Sequence, residues 1–397
     1  MKWPALPLSA VCQKITDGSH RTPPFVDEGF PFVTVVHVRD DGKIDFDAAS
    51  RISKADLEDL KKNDCRPLPG DVLFSKDGTV GKVSVVDFDR EFAVLSSLAI
   101  LRPIESQLCQ RYLAYALRWP ETLKQATDRK SGSAIRRIIL RDLAHVRIPL
   151  PPLPEQARIV RLLDAAEALR RLRAAADRRT AELIPALFHD MFGDPSVNSK
   201  GWPAATVKAI CDVKGGKRLP KGEQYSEVPT VFRYIRVSDL ENGRVSEDQL
   251  VFLKPETQAQ IARYTVSEGD LIISIAGTTG VVAPVTASLD GANLTENAAK
   301  LVPKVPEVYH TVFLCHLFQT EYVQQQIGAQ TGQVTIGKLA LFRIERLRFG
   351  LPPLPLQRQF AARVAEIRAL EAQQAASRRR LDDLFQSMLH RAFRGEL

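Results

Sequence analysis

The sequence predicts an α+β fold made of two tandem globular domains, each followed by a long helix. Two observations lead to this fold: the chain repeats itself at about half of its length, and each half places short strand-like segments before a long helical stretch. With 397 residues, the chain is also too long for one ordinary core. We expect each globular domain to contain a strongly bent sheet or partial barrel with helices packed on it.

A proline motif is the clearest sign of the repeat. The sequence Leu-Pro-Pro-Leu-Pro at residues 150–154 recurs at residues 351–355. At the same offset of 201, Gln156 matches Gln357, His189 matches His390 and Phe192 matches Phe393. Upstream, at an offset of 199, Trp3 matches Trp202, Cys12 matches Cys211, Asp71 matches Asp270 and Ser75 matches Ser274. So many matches in order indicate a tandem duplication.

The two proline motifs also predict where the segments begin and end, because proline stops a strand but is tolerated at the start of a helix. We predict a first globular domain over residues 1–149 and a central helix over residues 150–193. A second domain follows over residues 194–350, with 194–200 as a linker, and residues 351–397 form a C-terminal helix.

Runs of β-branched and aromatic residues between polar turns predict short strands in both domains. Examples of predicted strands are residues 32–36, 72–74, 232–236 and 271–275, and helical pieces are expected near residues 108–119 and 312–327.

Each long helix carries apolar residues at heptad spacing, which predicts a seam that packs against another helix. The predicted seam residues are Ile159, Leu162, Ala166, Leu169, Leu183, Leu187, Phe360, Ile367, Leu370, Leu381, Leu384 and Met388. The simplest partner for one seam is the other helix, so we expect an antiparallel coiled coil; the alternative is that each helix packs on its own domain. A helix over residues 155–191 would be roughly 55 Å long.

The charge balance favours a polyanionic partner. Lys and Arg number 55 against 47 Asp and Glu, a formal charge of +8, although an ordinary basic surface would give the same balance. The five cysteines include no C-x-x-C pair, which argues against a disulfide framework or a zinc knuckle and favours a reducing cytoplasm.

Polar and basic clusters recur in loops at matching places of the two halves. Their chemistry suits DNA, because Arg and Lys bind guanine edges or phosphates, Gln reads adenine, and Ser and Thr reach either. The candidate DNA-binding residues are Ser19, His20, Arg21, Lys76, Thr79, Lys130, Ser133 and Arg136 in the first half, and Lys214, Lys217, Arg218, Thr278, Thr279, Gln330, Gln333 and Lys338 in the second. Ordinary surface turns are the alternative for any single cluster.

No catalytic or metal constellation stands out in the sequence. It has no G-x-G-x-x-G motif, no G-x-S-x-G motif and no Asn/Asp-Pro-Pro-aromatic segment of the kind amino-methyltransferases use. His310, Cys315 and His316 fall in an apolar helical stretch, which predicts core packing rather than a metal site. We therefore expect no catalytic residue and no metal ligand in this chain.

Together these features resemble the specificity subunits of Type I restriction-modification enzymes. The resemblance rests on Gly-Asp-Val-Leu-Phe-Ser with Gly-Thr-Val-Gly over residues 70–81, on its second copy over residues 269–280, and on the two proline motifs that each open a long helix. It covers nearly the whole chain. One departure is Leu356, where the first copy has Glu155.

The resemblance implies two target-recognition domains that each read one half of a split, double-stranded DNA site, with the paired helices as a spacer. It implies a non-catalytic role in phage defence, in which partner methyltransferase subunits modify the DNA and a separate restriction translocase cleaves it. S-adenosylmethionine, ATP and Mg²⁺ would then be used only through those partners.

Three other functions compete with this interpretation. A methyltransferase or nuclease that reads its own site would need the motifs that are missing above. A stand-alone DNA-binding regulator or decoy would need no partner subunits, so copurification would separate it from a specificity subunit. A coiled-coil scaffold without a DNA role leaves the repeated basic loops unexplained.

Overall fold

The computed structural model describes residues 3–62, 65–128, 138–305, 308–331 and 338–397. They form two compact units. The first consists of Met1–Ala174 together with Ala375–Leu397, and the second of Ala175–Gln374. Each unit therefore combines one globular domain with part of each long helical segment, and the predicted α+β architecture of two tandem domains is confirmed.

The first unit is built on a four-stranded sheet in the order β2-β9-β6-β7, with a second sheet in the order β3-β5-β4-β8 and a short β1–β10 pair. Its strands are β1 (Ala5–Pro7), β2 (Cys12–Asp17), β3 (Phe25–Val26), β4 (Phe30–Val33), β5 (Ser50–Ile52), β6 (Val72–Ser75), β7 (Val83–Val85), β8 (Ala93–Val94), β9 (Leu98–Pro103) and β10 (Arg147–Pro149). Its helices are α1 (Leu8–Val11), α2 (Lys54–Lys62), α3 (Gln110–Arg118), α4 (Pro120–Asp128), α5 (Leu140–Ala144) and the first part of α6 (Leu153–Ala181).

The second unit repeats the plan with the sheet order β12-β20-β17-β18, a smaller sheet β16-β13-β19, and the pairs β14–β15 and β11–β21. Its strands are β11 (Ala204–Thr206), β12 (Cys211–Gly215), β13 (Arg233–Ile235), β14 (Leu240–Glu241), β15 (Arg244–Val245), β16 (Val251–Phe252), β17 (Leu271–Ser274), β18 (Val282–Pro284), β19 (Asn293–Leu294), β20 (Ala298–Pro303) and β21 (Arg348–Gly350). Its helices are α7 (Leu183–Phe192), α8 (Val207–Ile210), α9 (Pro255–Gln260), α10 (Thr311–Gln319), α11 (Glu321–Thr331), α12 (Leu341–Glu345) and the first part of α13 (Leu354–Arg394).

One inner strand of each main sheet, β6 in the first unit and β17 in the second, is buried on both faces. Successive side chains of a strand point to opposite faces, and accordingly Ile273 packs in one apolar cluster of the second unit while Ile272 packs in another. Phe74 and Leu73 divide in the same way in the first unit. The apolar runs that predicted these strands therefore reflect two cores, one on each side of the sheet.

Two predicted elements differ from the structure. The strand expected over residues 32–36 ends at Val33, because Thr34 caps a 3₁₀ turn by donating its backbone N–H to His37 Nδ1 at 3.0 Å. The helical stretch expected over residues 312–327 is two helices, α10 and α11, which meet at Thr320 in an extended conformation.

The predicted central helix is interrupted once. It forms α6 up to Ala181 and α7 from Leu183, with Glu182 between them. Pro185 explains the interruption, because it has no N–H to donate to the carbonyl of Ala181 and its ring crowds that carbonyl. The C-terminal helix α13 has no proline after Pro355 and continues from Leu354 to Arg394.

In both units the two helical segments pack on a globular domain as well as on each other. In the first unit Ile159 and Leu163 of α6 share a core with Phe385 and Phe393 of α13, and Arg170 Nε lies 2.6 Å from an oxygen of Asp382. In the second unit Phe188 of α7 shares a core with Phe360 of α13, and Gln374 donates to Thr180 at 2.9 Å. Pairing of the two helices as a coiled coil along their whole length stays a prediction.

The predicted seam needs a correction. Leu169, Leu183, Leu370 and Leu384 are 51%, 44%, 41% and 49% exposed, so they do not lie in a buried seam. The buried stripe is wider and displaced because it also faces the domain, which a strict heptad pattern does not anticipate. Of the other predicted positions, Ile159, Ala166 and Phe360 are buried, and Leu162, Leu187, Ile367, Leu381 and Met388 are half-buried.

The glutamine that follows each proline motif joins the helix to its domain. Gln156 is fully buried; its Oε1 accepts from the backbone N–H of Cys109 at 2.9 Å and its Nε2 donates to the carbonyl of Gln107 at 2.7 Å. Gln357 is also fully buried and accepts from the backbone N–H of His310 at 2.8 Å. The repeated motif is therefore a structural joint between helix and domain.

Candidate nucleic-acid interface

Three loops meet at one end of the main sheet in the first unit. The loop after β2 is held by a hydrogen bond from the N–H of Gly18 to the carbonyl of Leu98, at 3.2 Å. The turn after β6 is held by a hydrogen bond from the N–H of Lys76 to the carbonyl of Ser97, at 2.9 Å. The segment before α5 is held by a hydrogen bond from the N–H of Ile138 to the carbonyl of Lys76, at 2.8 Å. We call this set of loops the recognition edge.

The second unit has the same recognition edge. The N–H of Gly216 binds the carbonyl of Ala298 at 3.1 Å, and the N–H of Ile275 binds that of Asn297 at 2.8 Å. The N–H of Leu339 then binds the carbonyl of Ile275 at 2.8 Å. Loops that are far apart in sequence thus come together twice, at matching places of the two domains.

Glycine is required where the first loop of each edge crosses its neighbour. A Cβ on Gly18 would lie 2.0 Å from the carbonyl oxygen of Val94, and a Cβ on Gly216 would lie 2.2 Å from that of Thr295. No side chain fits at such distances, so only glycine lets the two backbones approach this closely.

The second loop of each edge is a serine-clamped turn. Ser75 Oγ donates to the carbonyl of Thr79 at 2.6 Å, and Ser274 Oγ donates to that of Thr278 at 2.6 Å. Both threonines are exposed at the tip, where a ligand could reach them, whereas Thr279 beside them is half-buried. The turn needs glycines in the left-handed region, which are Gly78, Gly81, Gly277 and Gly280.

Lys76 has to be removed from the candidate DNA-binding residues. It is 2% exposed, and its ammonium lies 3.0 Å from a carboxylate oxygen of Asp17, which is also buried. Ser19 is buried as well, and its hydroxyl donates to the carbonyl of Arg21. His20 lies 3.1 Å from Asp17 with its ring largely exposed. The first unit therefore presents His20, Arg21 and Thr79 to solvent.

The second unit presents more charge at its edge. Lys214, Lys217 and Lys338 are exposed. Arg218 is also exposed, and its Nε lies 2.6 Å from a carboxylate oxygen of Glu296, an ion pair that leaves the guanidinium 77% exposed. An exposed pair of this kind contributes little to stability but orients the guanidinium.

Five candidates cannot be placed as side chains. Lys130, Ser133, Arg136 and Gln333 lie outside the described residues. Gln330 belongs to the last turn of α11, and its side chain is also outside them.

One further turn of each edge was not predicted from the sequence. This turn is Ser96–Ser97 in the first unit and Thr295–Asn297 in the second, directly before β9 and β20. The turn could have been found from its position, because it comes directly before β9 and β20, which are matching strands of the two halves. In the second unit it lines a groove of about 850 Å³ together with Arg218, Tyr225, Tyr234, Arg236 and Ser238.

Tyr234 helps to shape this groove. Burial raises the pKa of the Tyr234 hydroxyl to about 12, so the hydroxyl stays protonated near neutral pH. It donates to the carbonyl of Lys217 at 3.0 Å and so fixes the backbone of the first loop. Arg236 on the other wall donates to both carboxylate oxygens of Asp239, at 3.2 and 2.7 Å.

Metal-ligand clusters and membrane-spanning helices are absent from the residues that the structure describes. They contain no group of three or more His, Cys, Asp or Glu residues that could hold a metal ion. Among the helices described, none is long and apolar enough to cross a membrane.

The repeated recognition edges and their polar, partly basic side chains define a duplicated protein with two matching candidate nucleic-acid interfaces. The family model described as "Type I restriction modification DNA specificity domain" matches the chain twice, at residues 19–175 and 199–376. These matches cover well over half of the sequence, and the chain belongs to this family.

Individual relatives agree with the family match. The chain is 24% identical over 324 residues to the type I restriction enzyme EcoBI specificity subunit of Escherichia coli, an alignment that covers 74% of this chain and 67% of the relative. It is 20% identical over 358 residues to the type I restriction enzyme MjaVIII specificity subunit of Methanocaldococcus jannaschii, covering 85% of this chain and 79% of the relative.

Two solved structures share the fold. A chain from a study of complex assembly and conformational transition of the type I R-M system superposes with a TM-score of 0.63 at 20% identity, covering 100% of this chain and 98% of that chain. The type I restriction-modification S subunit from M. genitalium superposes with a TM-score of 0.55 at 16% identity, covering 99% and 96%.

Proposed function

We propose that this chain is the DNA-recognition subunit of a type I restriction-modification complex, and that each globular domain reads one half of an interrupted duplex sequence. The observation that carries the proposal is the recognition edge, which occurs twice with the same backbone hydrogen bonds. A repeated scaffold with different exposed side chains is what reading two half-sites requires.

The two edges differ in the side chains that they expose. The first presents His20 and Arg21, whereas the second presents Lys217 and Arg218. Because each base pair shows a distinct pattern of donors and acceptors in the major groove, different side chains select different sequences. The two halves of the DNA target are therefore expected to differ.

The catalytic steps belong to partner subunits in this proposal. Methyltransferase subunits bind S-adenosylmethionine and modify the DNA, and a restriction translocase uses ATP and Mg²⁺. The complex works in the cytoplasm, a reducing compartment that suits the five free cysteines.

A docking surface for the methyltransferase is available on the helices of the first unit. Leu169 and Leu172 of α6 are 51% and 67% exposed, and Leu384 of α13 is 49% exposed. Leu169 and Leu172 are three residues apart and share one face of the helix. Exposed leucines beside arginines such as Arg171 are typical of a protein interface rather than of a DNA contact.

The test is methylome sequencing of a host that carries the chain and a cognate methyltransferase, compared with the same host without the chain. We expect a split motif of two defined halves only when the chain is present. Exchanging residues 1–149 for the same segment of a relative with another target should change one half and leave the other unchanged. If both proteins fold and copurify while the methylated motif is the same with and without the chain, the proposal is wrong.

A further inference from the structure

A basic pocket lies beside the recognition edge of the second unit. It has a volume of about 360 Å³, and its charged lining consists of Lys214, Arg263 and Lys300, with Tyr264 among the remaining lining residues. No carboxylate lines it. Lys214 is two residues before Gly216, at which the first loop of the edge is anchored, so the pocket and the edge are continuous along the chain.

Most of the charge around the basic pocket is uncompensated. Lys214 and Arg263 are exposed, and neither of them forms an ion pair within the described part of the second unit. Cations that line one pocket together repel each other, which is tolerated where an anion binds.

The other groups of the pocket are held in place. Lys300 donates to the carbonyl of Thr265 at 2.6 Å and lies 3.1 Å from a carboxylate oxygen of Asp270, which fixes its ammonium at the wall. Arg263 donates to the hydroxyl of Tyr264 at 2.7 Å, and its guanidinium carbon lies 4.9 Å from the centre of that ring. This contact orients the guanidinium before any ligand arrives.

The first unit has no equivalent of this pocket at the matching strand positions. Lys214 pairs with Lys300 across β12 and β20, whereas Thr16 pairs with Ile100 across β2 and β9. Lys214 and Lys300 are therefore not a by-product of the shared scaffold.

We propose that the basic pocket binds a phosphate of the DNA backbone next to the half-site that the second unit reads. The inference rests on the proposed function. Its charged lining consists only of cations, which suit a phosphate oxygen better than the mixed donor and acceptor pattern of a base edge. A phosphate contact positions the domain on the duplex without adding sequence information.

The test uses the full chain with its methyltransferase partner and two variants, Lys214→Gln and Arg263→Gln, alone and combined. Binding is measured on a duplex that carries the methylated motif, on duplexes with single changes in each half, and over a range of salt concentrations. We expect each variant to weaken binding by a similar factor on every duplex, and to lower the slope of log affinity against log salt by about 1 per residue removed.

The matched control is Lys254→Gln, which removes an exposed lysine of the same unit that does not line the pocket and should change neither affinity nor slope. Unchanged affinity and slope in the pocket variants would overturn the inference, as would lost discrimination at one base pair, which would assign these residues to base reading. Failure of the wild-type complex to prefer any duplex would instead show that the proposed function is wrong.

Discussion

The buried glutamines show what the repeated proline motif does at the scale of single residues. The side chain of Gln156 closes hydrogen bonds with the backbones of Gln107, Cys109 and Pro151. An apolar side chain of the same size cannot make these bonds, and the freed backbone groups would stay unpaired in a buried place.

Gln156→Leu and Gln357→Leu should therefore each destabilise their own unit, by about 1–3 kcal/mol. Chemical denaturation followed by fluorescence would measure the loss. Gln359→Leu is the matched control, because Gln359 is exposed on the same helix as Gln357, and it should change stability by less than about 0.5 kcal/mol. If Gln156→Leu or Gln357→Leu were as stable as Gln359→Leu, the buried glutamines would not be needed to join the helices to their domains.

The buried pair of Asp17 and Lys76 has no counterpart in the second unit, where Gly215 and Ile275 occupy the matching positions. Lys76→Ile alone would leave the buried Asp17 carboxylate with only the largely exposed His20 beside it, which should cost up to roughly 3–5 kcal/mol. The double variant Asp17→Gly with Lys76→Ile copies the second unit and should recover much of that loss. Thermal unfolding of the three proteins checks this, and a double variant no better than the single one would count against it.

His316 gives the second unit a pH dependence. Burial, with a smaller contribution from the charge of Arg368, lowers the pKa of His316 to about 4, whereas an unfolded histidine titrates near 6.5. Between these pH values His316 is protonated in the unfolded state but neutral in the folded state. Stability therefore falls as the pH drops from about 6.5 to about 4, and this group does not affect it above that range.

Replacing His316 with Gln should flatten this dependence by at most about 3 kcal/mol between pH 7 and pH 4. The measurement is unfolding of wild type and variant at several pH values, because carboxylates titrate equally in both and cancel in the difference. Parallel curves would show that His316 takes up its proton in the folded state as readily as in the unfolded one.

The loops that meet at the two edges could be picked out from the sequence, but the burial and contacts of each residue in them could not. Arg21, Lys217 and Arg218 are exposed at the edges as expected, whereas Lys76 is buried against Asp17. The difference depends on a partner 59 positions away in the chain, and local composition carries no information about such a contact. DNA binding by the exposed candidates stays a prediction.

At the scale of elements, the helices show why the predicted seam was displaced. A heptad pattern assumes one apolar partner, but α6 packs on both α13 and the globular domain of the first unit. Leu163 and Phe385 are therefore buried while Leu169 and Leu384 are exposed. Because the buried stripe is displaced, Leu169, Leu172 and Leu384 are exposed and available to a partner protein.

The double variant Leu169→Lys with Leu172→Lys should lose most of its copurification with the methyltransferase and keep the thermal stability of the wild type. Copurification and thermal unfolding of the same samples check this. Arg171→Gln lies on the same exposed segment without removing apolar surface and serves as the control. Full copurification of the leucine variant would place the partner elsewhere on the chain.

At the scale of the whole molecule, the duplication made the number and order of domains predictable from residues such as Trp3, Trp202 and the two proline motifs. The composition of the units was not predictable in the same way. The first unit takes in Ala375–Leu397, because Phe393 stacks on Trp119 at 5.5 Å and packs against Tyr112 at 5.2 Å. The sequence repeat does not indicate that Ala375–Leu397 packs in the first unit.

Deleting residues 381–397 should consequently open the core of the first unit and leave that of the second intact. Trp119 would become accessible to a fluorescence quencher, whereas Trp202, which donates to the carbonyl of Phe192 at 2.9 Å, would not. Single-tryptophan versions of the full and shortened chains would report each unit separately. Equal quenching of Trp119 in both chains would contradict the expected opening.

The division of the first unit also sets an order on synthesis. The second unit, Ala175–Gln374, is continuous and has all of its residues before translation reaches the last segment of α13. The first unit begins earlier but cannot close around Phe385, Leu389 and Phe393 until they leave the ribosome. The domain that is translated first is therefore completed last, and its recognition edge gains its full structural support only once the end of α13 has been translated.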